Sequence, residues 1–136
     1  DYYNKITNDI KNIKFFGYLP HSQVKKFFSR NHILIAPYEK IVTVGNISDT
    51  SKFMSPLKIF EYMSSQKPII SSNHKVIREI LRNDDNALLC EPNNFNEWVK
   101  AIIRLKDQKL RKKLAKKSYS DYLSKHTWEK RVQKIL

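Results

Sequence analysis

At 136 residues, with 40% hydrophobic and 12% aromatic residues, the chain is long enough for one domain with a sizeable core and too apolar to be disordered. Lys and Arg number 26 against 13 Asp and Glu, a formal charge of +13, which favours anionic partners such as phosphorylated ligands, nucleic acid or an anionic membrane surface. The single cysteine, Cys90, rules out an internal disulfide framework, no apolar run has the length of a membrane span, and the two glycines, Gly17 and Gly45, rule out a GxGxxG or Walker phosphate loop.

In chain order, Asp1 to Lys11 reads as the tail of a helix. Asn12–Phe16 is a short strand ended by Gly17, and His21 or Ser22 is positioned to cap a helix with Val24, Phe27 and Phe28 at helical spacing. Ile33–Ala36 is a continuous apolar run before Pro37, the pattern of a strand buried on both faces. A long polar loop from Tyr38 to about Met54 follows, of the kind that is functional or mobile in compact domains.

Ser55–Ser65 then reads as a helix. Pro56 suits its first position, Ser55 the capping position, and Leu57, Phe60 and Met63 lie at helical spacing to face a core. Lys58 and Glu61 share another face at i, i+3. Free amides at a helix N-terminus with a Lys just inside it form an anion site. A carboxylate one turn further in can accept hydrogen bonds from paired hydroxyls such as those of a ribose.

Pro68–Ser72 is the next strand, Asn73–Arg82 a short helix, Asn83–Asn86 a turn and Ala87–Cys90 a strand in which Cys90 reads as a small buried apolar residue. Phe95, Trp98, Ile102 and Leu105 form one stripe of a helix. Asp107 caps a basic helix carrying Leu110 and Leu114, and a last helix begins near Thr127 with Trp128, Val132, Ile135 and Leu136. Trp98 and Trp128 read as core anchors, and His74 and Lys75 as solvated surface residues. The scattered histidines His21, His32, His74 and His126 show no metal-ligand spacing. The basic residues of 107–136 read as a solvated face or as a surface for anionic lipid headgroups; a nucleic-acid interface would use the same charge, but the sequence has no RRM-type or KH-type motif and no aromatics interleaved with the basic residues.

Short apolar strands alternating with helices give an α/β class with a mostly parallel sheet. In such sheets ligands bind outside the carboxyl ends of the strands, the edge where the loop after Ile33–Ala36 and the start of the Ser55 helix belong.

Taken in order, Asn12–Leu19, Ile33–Pro37, Ser55–Met63, Lys67–Ser71, Glu79, Asn86–Leu89, the Trp98 helix and Thr127-Trp128 resemble the landmarks of the C-terminal domain of a family 4 glycosyltransferase with the two-domain GT-B fold. The resemblance implies a Rossmann-like parallel sheet with flanking helices, residues 1–136 forming a single, truncated nucleotide-sugar-binding domain. It implies a diphosphate seat at Ser55, Pro56, Leu57 and Lys58, a ribose clamp at Glu61, the second glutamate of the family's E-x7-E pattern, and a base site at Gly17 and Tyr18. Phe53 stands in place of that pattern's first glutamate. Nothing before Asn12 matches the first two strands of the family's domain, so the chain is expected to lack them and the acceptor-binding domain, and to be inactive alone. The implied activity is retaining transfer from a UDP-sugar with no metal, to a lipid-diphosphate-linked or glycan acceptor, in bacterial surface polysaccharide assembly. Its implied place is the cytoplasmic face of the inner membrane. The alternative of another class is a basic nucleic-acid-binding or interaction module without catalytic activity.

Overall fold

The computed structural model describes residues 10–41 and 56–133. Its elements run α1 (His21–Ser29), β1 (Leu34–Ala36), α2 (Leu57–Ser64), β2 (Ile69–Ser72), α3 (Lys75–Arg78), β3 (Leu88–Cys90), α4 (Phe95–Arg104), α5 (Gln108–Lys125) and α6 (Trp128–Val132). The three strands form one parallel sheet in the order β1-β2-β3, with Leu34 opposite Ile69 and Ile70 opposite Leu88. Parallel neighbours need a crossover, and α2 and α3 supply the two that this sheet requires.

Strand alternation divides the core in two. Leu34, Ala36 and Ile69 pack with Ile59 and Met63 of α2 and with Val76, Ile77, Ile80 and Leu81 around α3. Ile70, Leu88 and Cys90 pack with Ala101 and Leu105 of α4 and Leu114 of α5. The two clusters therefore lie on opposite faces of the sheet, the arrangement expected of an α/β domain.

Several elements differ from the sequence expectation, each for a physical reason. Residues 12–16 form no strand; Ile13, Phe15 and Phe16 are about half exposed. A strand persists only with a hydrogen-bonding neighbour, and the described sheet pairs only β1, β2 and β3. The segment rests instead on α1, through an edge-to-face contact of Phe16 with Phe27 at 4.9 Å. Helix α1 starts at His21 itself, with Pro20 rather than His21 or Ser22 at the capping position. Ile35 of β1 is 38% exposed, so this strand is not buried on both faces: α4 packs on β2 and β3 and leaves the β1 end of that face open.

Helix α2 begins at Leu57, with Pro56 one position earlier than expected, and buries Ile59, Tyr62 and Met63 rather than Leu57, Phe60 and Met63. The crossover places β1 and β2 under the 59–62–63 side, which turns Leu57 outward. Helix α3 covers four residues, Lys75–Arg78. On α4 the buried stripe is Trp98, Ala101 and Leu105; Phe95 is 79% and Ile102 41% exposed. Trp98 is half-buried and its indole N–H donates to Glu91 O at 3.1 Å, as a partly buried indole requires. Trp128 is 71% exposed and is no core anchor. Cys90 is buried as expected, and burial first, with Glu97 nearby, pushes its thiol up to about 11.

Candidate functional site

Helix α2 carries the site because its two sides face different surroundings. With Ile59 and Met63 fully buried under it, Leu57 and the positions at i+4 and i+7 from it, Glu61 and Ser64, form a ridge facing away from the sheet. That ridge is the floor of a groove. One wall is α1, with His21, Val24, Lys25 and Phe28 at helical spacing. The other is the end of α5 with the start of α6, presenting Tyr119, Tyr122, His126 and Trp128. The groove has two connected stretches of about 330 and 340 Å³, and Glu61 lines both.

Helix α2 runs back antiparallel to the strands, so its first turn opens at the carboxyl edge of the sheet. Its leading amides, at Leu57 and Lys58, have no acceptor within the helix by geometry, and no side chain among the described residues caps them. Ile59 N–H donates to Pro56 O at 2.9 Å. Lys58 and Glu61 are both exposed. Amides, ammonium and carboxylate thus stand along one solvent-facing side of a single helix, in the order that a phosphate followed by a ribose would require. Ser55 and Phe53 lie outside the described residues.

Gly17 has φ +64°, and an added Cβ would meet nothing within 4 Å. The glycine is therefore required there by backbone conformation and not by close approach of a neighbour. Tyr18 beside it is 90% exposed. His74, expected at the surface, is buried at the carboxyl end of β2, and its Nε2 has no partner among the described residues. Tyr62 closes the floor of α2 against β1 by donating to Ile35 O at 3.3 Å, and its burial raises the phenol pKa above the usual value.

The sequence pattern gives a basic helix and a Trp128 helix here but not their joint wall. The signal was present: Tyr119, Tyr122 and His126 recur at i, i+3 and i+7 within the lysines. The Tyr119 and Tyr122 rings stack at 6.5 Å, and His126 meets Phe60 of α2 at 5.2 Å.

In open parallel sheets ligands bind outside the carboxyl ends of the strands, and the open amides of α2 and Lys58 stand at that edge. The particular family follows from comparison with known proteins. Residues 5–121 match the family described as glycosyl transferases group 1, and the chain belongs to that family. Comparison with curated proteins gives no match.

Among solved structures, the chain is similar to the C-terminal domain of a glycosyl transferase group 1 family protein (LpcC) from Francisella tularensis, with TM-score 0.72 and 22% identity over 93% of this chain and 60% of that one. It is similar to a sucrose-phosphate synthase from Thermosynechococcus elongatus, with TM-score 0.77 and 19% identity over 98% of this chain and 31% of that one. A glycosyltransferase from Rickettsia africae gives TM-score 0.75 and 16% identity over 97% of this chain and 33% of that one. At these identities the likeness establishes the fold, that of the C-terminal domain of a GT-B glycosyltransferase. The chain spans between about a third and three fifths of these relatives.

Proposed function

We propose that this chain is the donor-binding part of a retaining glycosyltransferase that uses a UDP-linked sugar. The observation that carries the reading is the placement of Glu61 on the floor of the groove, one turn inside a helix whose open amides and Lys58 stand at the carboxyl edge of the sheet. The diphosphate would sit on the amides of Leu57 and Lys58 with Pro56 and Ser55 leading into them. The ribose hydroxyls would donate to the Glu61 carboxylate, and the base would lie toward Gly17 and Tyr18.

In this reading the chemistry is electrostatic. The developing negative charge on the leaving diphosphate meets fixed N–H dipoles and one ammonium, which need no reorganisation as the bond breaks. Positive groups of this kind do the work that a metal does elsewhere, so the transfer is proposed to need none. The acceptor, a lipid-diphosphate-linked or other glycan, would be held by a further domain, and this chain alone would bind donor without turnover.

Surface polysaccharide assembly at the cytoplasmic face of the inner membrane is the proposed setting. Lys109, Lys112, Lys113, Lys116 and Lys117 of α5 are all exposed. Each contributes about 1 kcal/mol of attraction near an anionic lipid surface. Among the described residues no helix is long and apolar enough to cross a membrane.

Calorimetric titration with UDP, GDP, ADP and a short oligonucleotide tests the proposal. UDP should bind best, and Glu61→Ala should abolish that binding; Lys58→Ala should weaken UDP far more than uridine. Tight, salt-sensitive oligonucleotide binding with no nucleotide preference would overturn the reading in favour of a nucleic-acid-binding module.

A further inference from the structure

The stretch of groove of about 330 Å³ runs from Glu61 to Ser64 and Ser65 at the end of α2, and neither Leu57 and Lys58 nor Gly17 and Tyr18 line it. The donor as placed above therefore leaves it free. Its polar groups are sorted by element. On the α2 floor, the hydroxyls of Ser64 and Ser65 donate to the carbonyls of Glu61 and Tyr62 at 2.7 and 2.6 Å. Each hydroxyl thus presents lone pairs, and the Glu61 carboxylate is an acceptor only. The walls supply the donors: the Lys25 ammonium on α1 and the phenols of Tyr119 and Tyr122 on α5. Lys25 and Glu61 line the same stretch without forming an ion pair, and neither they nor the two phenols have a hydrogen-bond partner among the described residues. The half-buried Tyr119 and Tyr122 rings lie with only 21° between their planes.

We propose that this stretch is a second ligand site and takes a sugar phosphate. The phosphate is matched to the Lys25 end, where the bond is charge-assisted. Ring hydroxyls donate to Glu61, Ser64 and Ser65 and accept from the phenols, and the C–H face of the sugar lies on the Tyr119 ring, the flat apolar surface available to it. Simpler ligands fit less well. An inorganic anion satisfies Lys25 alone, and an apolar ligand leaves an ammonium and a carboxylate unpaired. A volume of about 330 Å³ is at the small end of ligand sites, which suits a single sugar unit. Glu61 also lines the second stretch of the groove. Here the inference rests on the donor-binding reading: a sugar hydroxyl on Glu61 takes the place of a ribose hydroxyl, so the sugar phosphate and UDP weaken one another by the same factor.

The test titrates the protein with glucose 6-phosphate, glucose and inorganic phosphate by calorimetry. Glucose 6-phosphate should bind more tightly than either of the others. Lys25→Ala should weaken it by about tenfold, the loss of one charged hydrogen bond, and leave glucose unchanged. Tyr119→Ala should weaken glucose 6-phosphate and glucose by the same factor, and Tyr119→Phe should keep most of the affinity. No saturable binding at millimolar concentration would overturn the site, and UDP binding that is lost in Glu61→Ala would then leave the donor reading standing. Inorganic phosphate that binds as tightly as glucose 6-phosphate would also overturn it, because attraction to the +13 charge alone predicts that result. Binding of glucose 6-phosphate with the stated Lys25 and Tyr119 dependence, in a protein whose UDP affinity ignores Glu61→Ala, would support the site and defeat the donor reading.

Discussion

Asp121→Asn is the substitution whose effect the structure defines most closely. Asp121 is only 4% exposed on α5. Its carboxylate accepts from Asn86 Nδ2 at 2.9 Å and from the Arg82 guanidinium at 2.6 Å, and Lys117 Nζ stands 3.4 Å away. Asn86 is fully buried in turn: its side-chain oxygen accepts from Arg82 N–H at 2.7 Å and its amide also donates to Ile80 O at 3.2 Å. The group pins α5 to the turn between α3 and β3. Breaking a fully buried ion pair costs about 3–5 kcal/mol. Here the Arg82 side chain is 44% exposed, so water recovers part of its solvation and the loss falls to about 1–2 kcal/mol.

The pH dependence of Asp121 has a definite sign. Burial alone raises its pKa, but the hydrogen bonds from Asn86 and Arg82 outweigh it and hold the carboxyl below its usual value. A carboxyl depressed in the folded state contributes stability above its unfolded pKa of about 3.9, and the contribution is lost as pH falls through the folded value. Urea unfolding of the two proteins should therefore show a constant gap from about pH 5 to 8 that narrows on acidification below about pH 4. Equal stability at pH 7, or a gap undiminished in acid, would refute the assignment of Asp121 as the charged pin.

Two further substitutions or probes follow from local structure. Gln66, just past α2, holds φ +58°, a left-handed conformation that costs a non-glycine residue roughly 1 kcal/mol or more; Gln66→Gly should raise the denaturation midpoint accordingly, and an unchanged or lower midpoint counts against the strain. Cys90, with its thiol pushed up to about 11 and 2% exposed, should react with a maleimide at pH 8 only as fast as the domain opens, so labelling that ignores added urea would contradict its burial.

What could be read from the sequence follows from how local each signal is. The apolar runs at Leu34–Ala36, Ile69–Ser72 and Leu88–Cys90 declare parallel strands, and β2 in the middle of the described sheet is buried throughout, whereas β1 at its edge leaves Ile35 exposed. Asp107 declares a helix start because its carboxylate has one use there, and it accepts from Lys109 N–H at 2.7 Å. The side of a helix that will be buried is less legible. On α2 and α4 the apolar arc is wider than the sheet can cover, and tertiary contact alone decides that Ile59 and Ala101 go inside while Leu57 and Ile102 stay out. The same holds for residues 12–16, whose strand pattern needs a neighbour to become a strand. In the candidate site, Lys58 and Glu61 were visible because they lie on one turn of one helix. Tyr122, His126 and Trp128 were not, because more than fifty residues separate them from Glu61 and only packing brings them to the same groove.

That separation also links stability to the site. The floor of the groove is fixed by burial of Ile59 and Met63, but its far wall hangs from α5, and α5 is held to the turn between α3 and β3 by Asp121, the residue immediately before Tyr122. Tyr122 and Glu61 line the same groove, so loss of the Asp121 pin would displace the wall that faces Glu61. Asp121→Asn should accordingly weaken UDP at temperatures well below its melting point. A pin that served global stability alone would leave that affinity at its wild-type value until the domain unfolds, and calorimetry on the folded variant separates the two cases.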